Sequence, residues 1–333
     1  MTVRTSPHPH ISRRTVAGLI ACGAALLGMG AQAQSWPTKP VRIVVPAAPG
    51  GSADPLARLV AEELTKSLQQ SFVVENRPGA NGNIGAASVV KAPADGYTLL
   101  YGWTGTLVPA LTLYGAKAYH PQNDLEPIVL IASTPNVIAA LPSLGVKSVA
   151  ELTAYAKSHP GQLNFGSTGS GSSYHLAGEQ YKKVSGVSLT HIPYASPGAV
   201  FTDLMGGRTQ VVFSGIAAAA PYAKDGRLRA LAVMSDKRSP MLPDAPTTVE
   251  LGHPELVFDT WFGLLAPKNT PADVRQKIND AVNAALNTPQ VRERIVTLGF
   301  QPLGGTSDQF TKALASDIQK WAEVIKFSGA KVD

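Results

Sequence analysis

Short apolar runs alternate with amphipathic stretches from Val41 onward, and this alternation constrains the fold more than any other feature of the chain. "VRIVVP" reads as a buried strand. The following "PLARLVAEELTKSLQQ" carries Leu56, Val60, Leu64 and Leu68 every four residues, which is one apolar stripe of a helix. Asp54 and Pro55 suit its N-cap and first helical position. "SFVVEN", a Gly-rich turn running into a helix, and "GYTLLYG" continue the pattern. In the middle, "NVIAAL" and "LNFGS" read as strands around a helix whose capping box is Ser148 and Glu151. "LTHIPY", "QVVFSG" and "LRALAVM" follow, joined by helical connectors that end at Gly206 and Gly226. Toward the end the pattern turns helical. Val274, Ile278 and Val282 stripe one helix, Gly299 stops a second, and Phe310, Leu314, Ile318, Trp321 and Ile325 stripe a long final one. Strand–helix–strand repetition of this kind predicts an α/β fold with mainly parallel sheets flanked by helices. No long linker is visible, so two domains in such a chain would be joined by strands that cross between them and act as hinges.

Two loops carry the chemistry. "PAAPGGSAD", Pro46 to Asp54, joins a strand to a helix, and "GSTGSGSS", Gly166 to Ser173, precedes the helical "YHLAGEQYKK". Glycine lets the backbone approach a ligand. The first-turn N–H groups of a helix have no partner of their own, and the helix dipole favours an anion there. Two such loops facing each other could hold one carboxylate or phosphate from both sides. Neither loop is a P-loop, neither matches G-x-G-x-x-G, and the hydrolase pattern G-x-S-x-G is missing. The histidines show no H-x-x-x-H pair, so neither a metal site nor a cofactor is predicted.

The start of the chain reads as an export signal. Arg4, Arg13 and Arg14 precede an apolar run from Thr15 to Gly30, and Ala31-Gln32-Ala33 gives an A-x-A cleavage pattern. Residues 1–33 are therefore expected to be a signal peptide and the location periplasmic. Cys22, the one cysteine, lies inside that run, where "LIAC" could also be read as a lipid attachment site. Cleavage at Ala33 leaves a chain without cysteine, which excludes disulfides, zinc–cysteine sites and a cysteine nucleophile. The whole chain holds 29 Lys+Arg and 23 Asp+Glu. The leader contributes three Arg and no acid, so the remainder carries a net +3. With no basic run, nucleic acid is not an expected partner. A monomer is expected, because no heptad pattern or long apolar surface run appears.

At the same two loops the sequence resembles the Bug family, extracytoplasmic receptors of tripartite tricarboxylate transporters. The resemblance runs from about Trp36 to the C-terminus through "WPTKPVRIVVPAAPGGSADPLARLVAEEL", "VVENRPGANGNIGAASVVKAPADGYTLL", "FGSTGSGSSYHLAGEQYKK", "GVSLTHIPYASPGAVFTDLMGGRTQVVFSG", "RSPMLPDAPTTVE" and "WFGLLAPKNTPADV". It implies a two-lobed periplasmic-binding-protein (type II) fold, with residues 34–134 and 256–333 as lobe 1, residues 135–255 as lobe 2, and a ligand cleft between them. The chain would cross near Ile131 to Pro135 and again near Glu255 to Trp261. The resemblance implies a non-enzymatic solute-binding protein that captures a small carboxylate for integral-membrane permease subunits. Two other readings share the same residues: a sensor subunit docking on a receptor kinase, and an exported enzyme acting on a carboxylate.

The binding site so implied comprises Ala48, Pro49, Gly50, Gly51, Ser52, Ala53 and Asp54 in the first loop, and Thr168, Gly169, Gly171, Ser172, Ser173 and His175 in and after the second. Trp103, Thr104 and Gly105 join them from the loop after "YTLL", with Tyr194, Ser196 and Ser214 at the distal end. Several positions depart from the family pattern. Ala47 and Ala48 stand where many relatives carry an aromatic residue, "ASPG" replaces a basic or Gly-rich turn, Ser214 replaces Asp, and Trp103 stands where small or polar residues are frequent. These departures predict a roomier, less charged distal pocket with Trp103 as a flat wall, suited to an aromatic or medium-chain carboxylate. Asp259 lies at the second crossing, near the expected cleft.

Overall fold

A computed structural model describes residues 1–2, 36–49, 53–115 and 117–330. From residue 3 the expected leader, with Cys22, lies outside these residues, as do Gly50, Gly51 and Ser52 of the first loop. Met1–Thr38 and Lys39–Asp333 are separate units, and the fold below is that of the second.

The chain opens with β1 (Val41–Val45), α1 (Ala53–Leu68), β2 (Phe72–Asn76), α2 (Asn83–Val90) and β3 (Thr98–Trp103). β1 is buried at every position but Arg42, as expected of a strand covered on both faces. α1 buries Leu56, Val60 and Leu64 of the predicted stripe. Two short helices, α3 (Thr104–Leu107) and α4 (Ala110–Tyr114), lead to β4 (Leu125–Ala140). Next come α5 (Val149–Ser158), β5 (Asn164–Ser167), α6 (Ser173–Ser185), β6 (Thr190–Pro193), α7 (Pro197–Met205), β7 (Val211–Gly215), α8 (Ile216–Lys224) and β8 (Arg229–Val233). The chain ends with β9 (Asp259–Pro267), α9 (Ala272–Leu286), α10 (Pro289–Thr297), the two-residue β10 (Gln301–Pro302) and α11 (Ser307–Ser328). Ser148 caps α5 by accepting the Glu151 N–H at 3.1 Å, while the Glu151 carboxylate takes the Lys147 N–H at 2.8 Å. The reciprocal bond of the expected capping box is thus displaced by one residue.

The strands form two continuous sheets. In the first, β1 pairs in parallel with β2 and β3, β9 runs antiparallel to β3 and β4, and β10 runs antiparallel to β4. In the second, β5 pairs in parallel with β6 and β7, and β4 runs antiparallel to β7 and β8. In the first sheet β1, β2, β3 and β4 therefore share one direction and β9 and β10 are reversed, and in the second β5, β6, β7 and β8 share one direction and β4 is reversed.

β4 is the element least visible in the sequence. "NVIAAL" is only its second half. Leu125 to Pro135 pair with β9, and Asn136 to Ala140 pair with β7 and β8. Proline lacks an N–H and argues against an interior strand position. Here Pro127 borders a bulge and Pro135 makes the last pair of the first sheet, so both fall where the ladder is interrupted. Three passages lie side by side at the switch. Asn136 N–H donates to the Phe258 carbonyl at 3.1 Å, Phe258 N–H to Met234 at 2.9 Å, and Met234 N–H to Asn136 at 2.8 Å. α11 packs over this junction: Trp321 lies 4.2 Å from Phe258, and Phe310 meets Trp261 edge-on at 5.2 Å. Aromatic pairs in these geometries add stability beyond the area they bury. α7 and α8 cover a separate core of Val137, Val200, Phe201, Leu204, Val212 and Ile216.

Candidate functional site

The first loop leaves β1 exposed at Ala48 and Pro49. α1 begins at Ala53, so Asp54 is its second residue and not the N-cap that the sequence suggests. The residue is 7% exposed and its carboxylate is held by protein groups: Asn76 Nδ2 donates to Oδ1 at 2.9 Å, and Arg58 donates to both oxygens at 2.9 and 3.2 Å. Asn76 also reaches the Ala47 carbonyl at 3.2 Å, tying the loop to the end of β2. Asp54 therefore anchors the loop, and its charge suits the first helical turn. Asp54→Ala is expected to cost about 1–2 kcal/mol of stability, because Asn76 and Arg58 lose a shared charged acceptor. Urea unfolding of the variant checks this.

The second loop leaves β5 and enters α6. Ser172 caps α6 by accepting the His175 N–H at 3.3 Å. Several loop amides are consumed internally. Gly169 N–H donates to Ser167 Oγ at 3.1 Å, Ser172 N–H to the Gly169 carbonyl at 3.1 Å, and Gly171 N–H to His175 Nδ1 at 3.0 Å. The N–H groups of Thr168, Ser170 and Ser173 find no acceptor among the described residues. Gly169 and Gly171, at φ 109° and 82°, occupy backbone conformations that favour glycine. His175 is 3% exposed and lies beneath the loop, not in it.

A third segment meets these loops. A Cβ on Gly105 would lie 3.2 Å from Trp103 Nε1 and 3.4 Å from the Ser173 backbone nitrogen. The turn after β3 and the start of α6 thus converge, with the Trp103 indole nitrogen and the Ser173 backbone nitrogen both close to the buried Gly105. Trp103 is half-buried and tilts against Phe262 at 6.3 Å. Thr104 is fully buried, and its Oγ1 accepts the Trp261 N–H at 3.1 Å, so its side chain is committed to β9.

Asn81 was not among the residues expected at the site. Its Nδ2 donates to the Gly105 carbonyl at 2.9 Å, and it lies 3.7 Å from the position of a Cβ on Gly171, beside Pro109. The signal was present in "GANG": residues 79–82 all adopt positive φ, including Ala80 at 47° and Asn81 at 51°. A run of left-handed residues is costly and persists only where surrounding structure fixes it.

The remaining expected residues spread along the second sheet. Tyr194 N–H donates to the Ser167 carbonyl at 2.8 Å, and its hydroxyl donates to Asp203 at 2.9 Å. Ser196 is exposed and caps α7 through Ala199 N–H at 3.3 Å. Ser214 is fully buried, and its hydroxyl finds no partner among the described residues. Asp259 opens β9 near Asp236, Asp317 and Lys320. One pairing escaped the sequence: Ser167 Oγ and His191 Nε2 are 2.5 Å apart, the spacing of a nucleophile and its base. Ser167 is fully buried, however, and its Oγ already bridges Gly169, so the pair fastens the loop.

The architecture has close counterparts. Residues 56–330 match the profile of the tripartite tricarboxylate transporter family receptor. The chain is 37% identical over 301 residues to Protein BugT of Bordetella pertussis, covering 90% of this chain and 92% of that one. Among solved structures, "R. palustris Rpa4515 with adipate" superposes with a TM-score of 0.79 at 36% identity, covering 89% of this chain and 99% of that one. "Periplasmic binding protein BugD" gives 0.78 at 33% identity, covering 89% and 99%. The fold is the two-lobed type II fold of periplasmic binding proteins, and the chain belongs to the tripartite tricarboxylate transporter receptor family.

Proposed function

We propose that the protein is an exported receptor that captures a small organic carboxylate between its lobes and delivers it to integral-membrane permease subunits. Residues 34–134 and 256–333 form one lobe in this reading and residues 135–255 the other. The junction at Asn136, Met234 and Phe258 serves as the hinge. The observation that carries the proposal is the convergence at Gly105. There the Ser173 N–H of one lobe, which finds no acceptor among the described residues, and the Trp103 indole nitrogen of the other come within 3.4 Å of the position of a Cβ on Gly105. Hydrogen bonds to a charged group contribute about 1.5–3 kcal/mol each. A few of them support micromolar binding, about −8 kcal/mol, after association costs.

The first loop completes the grip through Gly50, Gly51 and Ser52. The adipate found with a relative at 36% identity supports a medium-chain aliphatic diacid as ligand, with the Trp103 indole as the wall along its methylenes. Binding leaves the ligand chemically unchanged. The receptor works in the periplasm as a monomer.

A thermal-shift panel of aliphatic diacids, tricarboxylates, hydroxy acids, amino acids and aromatic acids tests this. A ligand at 100 times its dissociation constant adds about 2.7 kcal/mol, a rise of a few degrees. Stabilisation by diacids and not by amino acids is the expected result. A flat response from folded protein free of co-purified ligand would remove the carboxylate reading.

A further inference from the structure

Beneath the second loop lies a buried polar cluster. The His175 and His191 rings stack with centroids 4.0 Å apart. Phe165 packs beside both, 5.1 Å from His191 and 6.4 Å from His175. Each histidine holds a different point of the loop. Gly171 N–H donates to His175 Nδ1 at 3.0 Å. His191 Nε2 meets Ser167 Oγ at 2.5 Å, and that oxygen in turn holds Gly169. A nitrogen that accepts carries no proton, so the Gly171 bond fixes His175 as the neutral Nε2–H tautomer. Its Nε2 faces Glu179 Oε1 at 3.7 Å, and Lys182 Nζ holds the same oxygen at 2.8 Å.

We infer that the stacked His175–His191 pair is the positioning element of the second loop, withdrawing the Gly171 and Gly169 amides so that those of Thr168, Ser170 and Ser173 serve as the anion donors. This rests on the carboxylate reading above. The residue type follows from the task. An acceptor is needed directly under an anion site, and a carboxylate there would repel the ligand. A protonated imidazole would set one N–H against another. A neutral imidazole accepts without charge.

The charged groups facing the pair are Glu179 and Lys182 of α6. Burial first, then the neighbouring His191 and Lys182, hold His175 down to about 3. Burial and Lys182 hold His191 down to about 4. Both lie below the ordinary histidine value. The pair therefore stabilises the fold fully above pH 6.5, and that contribution is lost progressively as pH falls toward 4 and 3.

The test combines a spectroscopic signature with rescue by a conservative variant. In the wild-type protein at pH 5, ¹⁵N NMR should show His175 neutral with its proton on Nε2. The Gly171 amide should exchange about tenfold or more slowly than that of Ser170. A charged His175, an Nδ1–H tautomer or unprotected Gly171 overturns the inference without recourse to any variant. His175→Phe keeps a stacking ring and loses the acceptor, whereas His175→Asn places an amide oxygen near the position of Nδ1. Against an acid that stabilises the wild type, H175F should weaken binding about tenfold or more, and H175N should stay within about threefold. Equal affinity of H175F and wild type, or equal weakening by both variants, overturns it. A wild-type protein with the NMR signature that binds no acid fails the carboxylate reading instead.

Discussion

Gly263→Val should destabilise the protein by about 3 kcal/mol or more, the upper range for overpacking a tight interior. Gly263 sits in β9, where a Cβ would lie 2.5 Å from Phe310 Cε1 and 2.8 Å from the Val129 carbonyl. The ring could turn aside only by breaking its edge contact with Trp261. The carbonyl belongs to β4 and cannot yield without disturbing its ladder with β9. At about 2–4 °C per kcal/mol, the melting temperature should fall by about 6–12 °C. Gly145→Ala is the control. Gly145 has φ 79° with nothing within 4 Å of an added Cβ, so its change should cost only the left-handed backbone penalty of about 1 kcal/mol. Urea melting of both variants decides the matter, and a Gly263→Val protein as stable as the control would refute the steric argument.

Gly105→Val should lower ligand affinity about a hundredfold, equivalent to about 2.7 kcal/mol. Its Cβ would meet Trp103 Nε1 and Ser173 N at distances of ordinary or slightly tight contact. The methyls beyond it would occupy the space between those donors. Because Gly105 is buried, overpacking is also expected to cost about 1–3 kcal/mol of stability. Titration calorimetry beside a thermal melt separates the two effects. An unchanged affinity would show that the ligand does not pass between Trp103 and Ser173.

The parts of the fold legible in the sequence are those governed by local periodicity. The stripes of α1, α9 and α11 and the apolar runs of β1, β3 and β7 follow from side chains within a few residues of one another. β4 was half hidden because its identity depends on partners distant in sequence: β9 on one side of Pro135, and β7 and β8 on the other. The site divides in the same way. The second loop was recognisable from its glycines and serines, but that Gly171 spends its N–H on His175 depends on how α6 turns back beneath the loop. Asp54 looked like a cap because Asp-Pro is a common helix opening. Its true role required Asn76 and Arg58 to arrive from β2 and the next turn of α1. His191 carried no sequence signal, since its meaning arises only when β6 lies beside β5.

The double membership of β4 bears on how the molecule can be divided. The strand stands between β9 and β10 in one sheet and between β7 and β8 in the other. Cutting the chain at Pro135 would strip a rung from both ladders and leave open backbone edges in each fragment, an invitation to aggregation. Neither half is therefore a self-sufficient module. Heating should give a single cooperative endotherm, and recombination between relatives should succeed when β4 and β9 are inherited together from one parent.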